Sequence, residues 1–396
     1  MSLIIKKTKQ LKSEILRGLY YGRQLSLLEL SKLTKKSLPL VTAVVNELIE
    51  ERFVIEEGLA PSTGGRRPSM YLINPEKKQY IVAVAVDQLT VRMVIYDFNK
   101  TIVFPLVSAS IKLSEEKEDI GNLIDFIKKN IENSGLNAND IIGIGIGMPG
   151  FINDEKNIYP SVISNNLNTN LKKYLTQQFK FPVYIDNDSS LIAFAELKFG
   201  KGRDKKNILV LNIGWGTGLG MIINGVPYRG NSGYGGEFSH IPLSQSNDLC
   251  SCGKRGCIEV ETSLVVMANK AKIALDNGAK SSLEWLFNDA SKQPGDHFLD
   301  AASQGDPLAV SILSDAAFQL GKGVVMLLHI LNPEKLILSG RGAIAGKMFL
   351  PPIQQAINEY CILKIAEQTT IEISDIASDA ELLGAATLVV EHYHFQ

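Results

Sequence analysis

The chain starts the same strand-and-helix pattern twice, and that repetition limits the folds open to it. From Tyr80 onward, Ile81-Val82-Ala83-Val84-Ala85-Val86 reads as a buried strand, residues 91–96 as a second and 102–110 as a third. Helical spacing over 120–133 leads to an apolar run at 141–147. Val183-Tyr184-Ile185 then precedes the loop Asp186-Asn187-Asp188 and a helix over 189–199. Residues 208–213 and a Gly-rich hairpin at 214–224 begin the alternation again. Helices to residue 331, a strand at 335–338 and a last helix ending near Tyr393 follow. Strands alternating with helices specify an α/β body, and two entries of the pattern predict two similar lobes with a cleft between them.

The first eighty residues lie outside this pattern and differ in charge. They hold 14 Lys and Arg against 8 Asp and Glu, a net of +6, whereas the remainder, with 27 against 34, carries −7. Leu11, Ile15, Leu16 and Leu19 recur at helical spacing over 8–21. Ser26-Leu27-Leu28-Glu29 is a capping box that opens a short second helix. Ser37 can cap a third, with Pro39 in its first turn, where a missing N–H costs little. That helix would turn Leu40, Val44, Val45, Leu48 and Ile49 inward and leave Lys35, Lys36, Ser37, Thr42 and Asn46 exposed near its start. Two apolar runs, 53–55 and 70–73, follow with a polar loop between them. Three helices and a β-hairpin predict a winged helix-turn-helix whose third helix enters the major groove of DNA. In the wing, Arg66 and Arg67 of STGGRRPS either reach phosphates or a narrow minor groove, or are solvated arginines of an ordinary loop.

His240 stands ten positions before Cys250 in the pattern H-x9-C-x-C-x4-C, which ends at Cys257 with Cys252 inside it. One imidazole and three thiolates form a closed tetrahedral donor set for a structural zinc ion, one per chain. A C-x-C pair is too short for an unstrained disulfide, and a redox motif would be C-x-x-C. Gly253 and Gly256 let the chain double back between ligands. The fourth cysteine, Cys361, reads as a small buried hydrophobe in an apolar helix. Four cysteines in 396 residues argue against a disulfide framework and for a reducing cytoplasm. No apolar run reaches membrane-spanning length without Gly or charge interrupting it, and MSLIIKKTKQLKSEIL has no small-residue cleavage site.

Two glycine-rich stretches leave alternatives open. GWGTGLG (214–220) is either a nest of backbone N–H groups able to hold phosphate or a glycine hairpin that binds nothing. LSGRGAIAG (338–346) is a strand-to-helix turn that faces a nucleotide or simply packs closely.

GGEFSH (235–240) followed by CSCGKRGCIE (250–259) resembles the signature of the ROK family of repressors, open reading frames and kinases. GMPGFIN (147–153), IDNDSSLIAFAE (185–196) and both glycine stretches fall in the family's order, and the segment with GRRP is similar to its repressor branch. The resemblance implies a winged helix-turn-helix (1–78), then a two-lobed actin-like ATPase fold of sugar-kinase type. Its first lobe would be 79–190, with a C-terminal helix at about 381–396 returning to it. Its second, 191–380, would carry the zinc loop and a dimerisation surface.

The resemblance also implies a sugar site in the interlobe cleft. Asp188, after Asn187, stands where ROK kinases place the base that deprotonates the attacking hydroxyl; the competing reading of Asp188 is a loop cap. Asn187, Asp188, Glu237, His240 and Glu259 would bind the sugar, with Gly150 and Asn166 lining the pocket. The departure is in the first hairpin, where the kinases have D-x-G-G-T and this chain has VDQLTV. Gln88 and Leu89 replace the glycines and would obstruct ATP phosphates, so no catalysis is expected. The reading is a cytoplasmic regulator, a homodimer or dimer of dimers, that represses carbohydrate genes by binding operator DNA under control of a sugar or sugar phosphate. The alternatives are an active ATP-dependent sugar kinase carrying a DNA-binding domain, or a repressor controlled by a protein partner with a vestigial sugar site.

Overall fold

Leu11, Ile15, Leu16 and Leu19 are buried along one side of α1 (Leu3–Gly22), which begins five residues earlier than its apolar spacing predicts. The computed structural model describes residues 3–59, 67–111, 117–152 and 170–395. The capping box forms at α2 (Leu27–Thr34): Glu29 N donates to Ser26 Oγ at 3.3 Å and Ser26 N to Glu29 Oε2 at 2.7 Å. Lys35 ends that helix in the left-handed region (φ 54°). In α3 (Leu38–Glu50) Pro39 lies in the first turn, but Ser37 at the N-cap makes no side-chain cap bond. The buried face is Val41, Val44, Val45 and Leu48. Leu40, expected inward, is 47% exposed, because the 41/44/45/48 spacing selects one side and Leu40 stands about 100° away from Val41 around the axis. β1 (Leu25–Ser26), β2 (Val54–Leu59) and β3 (Ser69–Ile73) complete this region as a small sheet of order β1-β3-β2.

The chain divides into two compact units. The first takes in Met1–Ile146, Ser161–Ile185 and Ala385–Gln396, and the second Gly147–Pro160 and Asp186–Gly384. β4 (Tyr80–Val86), β5 (Val91–Asp97), β6 (Ile102–Ala109), β7 (Ile141–Met148) and β8 (Val183–Asn187) form a sheet of order β6-β5-β4-β7-β8. Along the chain, α4 (Lys117–Asn133) precedes β7 and α5 (Leu171–Phe179) precedes β8. β9 (Ile208–Ile213), β10 (Thr217–Ile223), β11 (Val226–Pro227), β12 (Lys335–Ser339) and β13 (Thr370–Ile373) form the other sheet, of order β11-β10-β9-β12-β13. In both sheets the order is third, second, first, fourth, fifth, so the repetition heard in the sequence is a repetition of topology. Pro105 is tolerated in β6 because that strand is an edge.

Within the first unit the N-terminal helices are tied to the last helix, Ala380–Glu391, and the residues after it. Arg17 Nη2 donates to the Glu391 carbonyl at 2.6 Å, and Tyr21 Oη to Glu391 Oε1 at 2.7 Å. Phe395 donates its N–H to Ser13 Oγ at 2.8 Å and sets its ring 4.8 Å from that of Phe53. Phe98 joins Tyr20 (5.6 Å) to Tyr393 (5.2 Å).

Among the described residues one helix, Pro307–Leu331, is long and apolar enough to cross a membrane, although Asp315, Gly321, Lys322 and Gly323 interrupt it. Leu313, Ala317, Leu320, Val324 and Leu328 are buried on it, and it packs against the helix Gly346–Tyr360. Cys361 follows that second helix as its C-cap, half-buried, rather than lying inside it.

Candidate functional site

The second unit gathers most of the expected polar residues. Asn187 closes β8 and is the N-cap of α6 (Asp188–Lys198): its Oδ1 accepts from Ser190 N at 3.1 Å, while its Nδ2 donates to the Gly150 carbonyl at 3.2 Å. Asn187 therefore does the capping that the competing reading assigns to Asp188, and ties the 147–152 turn to the helix start. Asp188, first residue of the helix, accepts from Ser189 N at 2.7 Å and from Asn212 Nδ2 at 3.3 Å. A carboxylate in a helix's first turn is favoured by the unpaired N–H groups there.

Glu237 and His240 frame a single turn of 3-10 helix after Gly235-Gly236. Gly236 holds φ 105°, and a Cβ there would stand 2.7 Å from the Leu219 carbonyl, so the loop reaches β10 only with glycine. His240 turns Nδ1 to Cys250 Sγ at 3.5 Å and Nε2 to Glu237 Oε2 at 3.8 Å. Partial burial pushes Glu237 above the usual carboxylate range, and the Asp188 charge adds to it. Glu259 is also pushed up, chiefly by burial and further by Asp188 and Glu237, against the pull of hydrogen bonds from Thr217 N (3.0 Å) and the Ser239 side chain. Three carboxyl groups that repel one another through space form one cluster, and such a cluster accepts hydrogen bonds from a ligand rich in hydroxyls.

The donor atoms of His240, Cys250, Cys252 and Cys257 all lie within 4.8 Å of one another. Cys252 and Cys257 sulfurs are 3.6 Å apart, far beyond a disulfide bond of about 2.05 Å. A four-coordinate ion with metal–sulfur bonds of about 2.3 Å and metal–nitrogen of about 2.0–2.1 Å sets S···S near 3.8 Å and S···N near 3.6 Å. The observed 3.6 and 3.5 Å fit those edges, so the set is able to hold a tetrahedral metal ion. Gly253 (φ 81°) and Gly256 (φ 76°) make the doubling-back that spacing predicts.

Two further pairs in the second unit were missed by sequence reading. Arg229 forms a two-pronged ion pair with Asp186, the residue before Asn187. Phe151 and Tyr234 meet in a tilted ring contact with centroids 4.7 Å apart. The first of the two acidic residues in IDND and a lone arginine after β11 were the only sequence signals for the first pair. The two aromatic residues lie 83 positions apart, with no pattern to link them.

The phosphate readings fare differently. No glycine of 214–220 has positive φ, so the alternation that makes a nest is not there. Trp215 is buried beneath the Arg341 guanidinium (4.9 Å), which pairs with Asp296 at 3.1 Å. In the first unit the turn at 87–90 is closed on itself. Leu89 and Thr90 give their N–H groups to Asp87 Oδ1 at 2.8 and 2.7 Å, and Thr90 Oγ1 donates to Asp87 Oδ2.

Of the residues expected to meet DNA, Lys35, Lys36, Ser37, Thr42 and Asn46 lie at or after the α2–α3 turn. Lys35, Lys36, Ser37 and Asn46 are exposed, and Thr42 is half-buried with its hydroxyl donating to the Leu38 carbonyl at 2.8 Å. Arg67 is exposed, while Arg66 and the expected sugar contact Asn166 lie outside the described residues.

A family model described as the ROK family matches residues 107–392. A xylose repressor of Bacillus spizizenii is 30% identical over 393 residues, covering 98% of this chain and 96% of that protein. A glucokinase of Halalkalibacterium halodurans is 32% identical over 270 residues, covering 68% of this chain and 82% of that enzyme. Among solved structures, a ROK family transcriptional regulator, homolog of the E. coli MLC protein, superposes with a TM-score of 0.76 at 22% identity, covering 97% of this chain and 96% of that one.

Proposed function

The chain belongs to the ROK family, and from that premise we propose that it is a sugar-responsive transcriptional repressor of carbohydrate-use genes. The observation that carries this is extent. Likeness to a xylose repressor runs over 98% of the chain, enough to take in both the basic N-terminal helices and the α/β body, against 68% for a glucokinase.

In this reading residues 1–78 are a winged helix-turn-helix that binds operator DNA in the cytoplasm, with α3 in the major groove and Arg66 and Arg67 on its wing. Residues 79–190, with the returning C-terminal helix, and residues 191–380 are the two lobes of an actin-like fold. Asp188, Glu237, Glu259 and the free face of His240 accept and donate to the hydroxyls of a sugar. Asn187 and Gly150 hold the turn beside them, and Asn166 joins the same set. His240, Cys250, Cys252 and Cys257 hold one structural zinc ion, which would fix His240 through one ring nitrogen and leave the other for Glu237 and the ligand. The chain acts as a homodimer or dimer of dimers on a two-fold operator.

The glucokinase likeness favours a second reading, a sugar kinase carrying a DNA-binding domain. Against it stands the turn at 87–90, where Gln88 and Leu89 carry side chains and the N–H groups of Leu89 and Thr90 are already spent on Asp87. One titration separates the two. Purified protein, containing about one zinc per chain, should bind a monosaccharide, change its operator affinity on binding, and show no sugar-dependent ATP hydrolysis. Asp188→Asn should weaken the sugar by about 1.5–3 kcal/mol, the worth of a hydrogen bond to a charged group. Sugar-dependent hydrolysis abolished by Asp188→Asn would establish the kinase instead.

A further inference from the structure

Phe151 is the residue after Gly150, whose carbonyl accepts from Asn187, and Tyr234 lies three positions before Glu237. Their ring contact therefore joins the turn bonded to Asn187, next to Asp188, to the loop that carries Glu237, at 4.7 Å between centroids with planes 51° apart. Phe151 is 47% exposed and Tyr234 half-buried. An exposed phenylalanine costs solvation unless something covers it, and its neighbours here are hydrogen-bonding groups suited to hydroxyls. Sugar rings are two-sided: hydroxyls project around the edge while C–H groups form flat apolar patches on the faces. A site for such a molecule needs both kinds of surface, a few placed polar groups and an apolar wall.

Resting on the sugar reading above, we propose that Phe151 and Tyr234 are the specificity-determining wall of the site, taking the C–H face of a neutral aldose in its ring form. The wall selects rings with an uninterrupted C–H face over those that place an axial hydroxyl on it, and over open-chain alditols, which have no face. The charge of the cluster points the same way. Asp188, Glu237 and Glu259 are acidic, and Arg229, the cation hydrogen-bonded beside them, has both prongs on Asp186. A sugar phosphate would bring two more negative charges to three carboxyl groups.

The test is calorimetric titration of the full chain with D-xylose, D-glucose, D-galactose, xylitol, sorbitol and glucose 6-phosphate. The wild type should bind one of the two all-equatorial aldoses best, and the alditols and the phosphate weakly or not at all. Phe151→Ala and Tyr234→Ala should each weaken the preferred aldose roughly threefold to tenfold, the range for removing one partner of an aromatic pair. Both should also shrink its preference over the matching alditol. Asp188→Asn should instead weaken every sugar while keeping their order. Phe151→Leu and Tyr234→Phe guard against misfolding: the leucine should lose the preference over the alditol and the phenylalanine keep it. Sugar bound with its affinity and preferences unchanged in the Phe151 and Tyr234 variants would overturn the wall and leave the sugar reading standing. Preference for glucose 6-phosphate would also overturn it. Wild-type protein that binds none of the six would remove the sugar reading itself, and the wall with it.

Discussion

Glu196 carries a carboxyl group to a place with no measurable exposure, between α6 and β12. Ser374 Oγ donates to its Oε1, Ser339 Oγ donates to the same oxygen at 3.1 Å, and Lys201 N donates to Oε2 at 3.1 Å. Burial still outweighs these bonds and holds the group above the usual carboxylate range. The folded chain thus keeps this proton to higher pH than the unfolded chain, for which a Glu titrates near about 4.3. Stability is fully present below that value and falls as pH rises through the raised one. Urea unfolding at pH 5 and pH 8 should show the wild type losing more stability over this interval than Glu196→Gln, and equal losses would refute the assignment. Such a residue is invisible in IDNDSSLIAFAE, where Glu196 reads as one more polar position of an amphipathic helix. The His240, Cys250, Cys252 and Cys257 donor set was legible because cysteine is scarce here and its spacing has few other uses. The Arg229–Asp186 pair was not, because its two residues meet only through the fold.

The elements were legible wherever a period ran long enough to exclude alternatives. The strands at 80–86 and 208–213, the capping box at Ser26 and the helix after Asn187 all came from local pattern, and the structure places them within a few residues of expectation. What escaped was short or settled by distant contacts: β1 and β11 of two residues each, β13 at the sheet edge, and α5. For GWGTGLG the sequence left a phosphate nest and a glycine hairpin open, and the structure forms the hairpin between β9 and β10. Gly220 is needed because α6 crosses β10 there, and a Cβ on it would stand 2.3 Å from the Ser189 carbonyl and 2.4 Å from Ala193 Cβ. Both contacts involve rigid atoms, so the helix has to move. Gly220→Ala should cost about 1–3 kcal/mol, the usual range for overpacking. It should also weaken sugar binding, because Asp188 opens the helix being displaced. Full stability in chemical denaturation would show that α6 has room to spare.

At the scale of the whole chain, charge and topology divide the labour. The net of +6 on residues 1–80 and −7 on the rest leaves an acidic body that DNA repels and a basic region that it attracts. Operator affinity should therefore fall steeply with salt. Replacing both Arg66 and Arg67 by Ala should make that slope shallower by up to about 2 in log–log terms, near 0.9 for each phosphate no longer neutralised. An unchanged slope in a gel-shift series would remove the wing from the interface. The tie between the N-terminal helices and Glu391, Tyr393 and Phe395 has a consequence for how the protein is made. Arg17 meets a residue 374 positions later in the chain. At about 5–20 residues per second, some 20–75 s of synthesis separate the two. Throughout that interval the nascent chain displays its helices without the support they rest on, and a fragment released early would carry basic helices that no sugar could govern. Quality control of the message therefore bears on regulation as directly as any residue of the site.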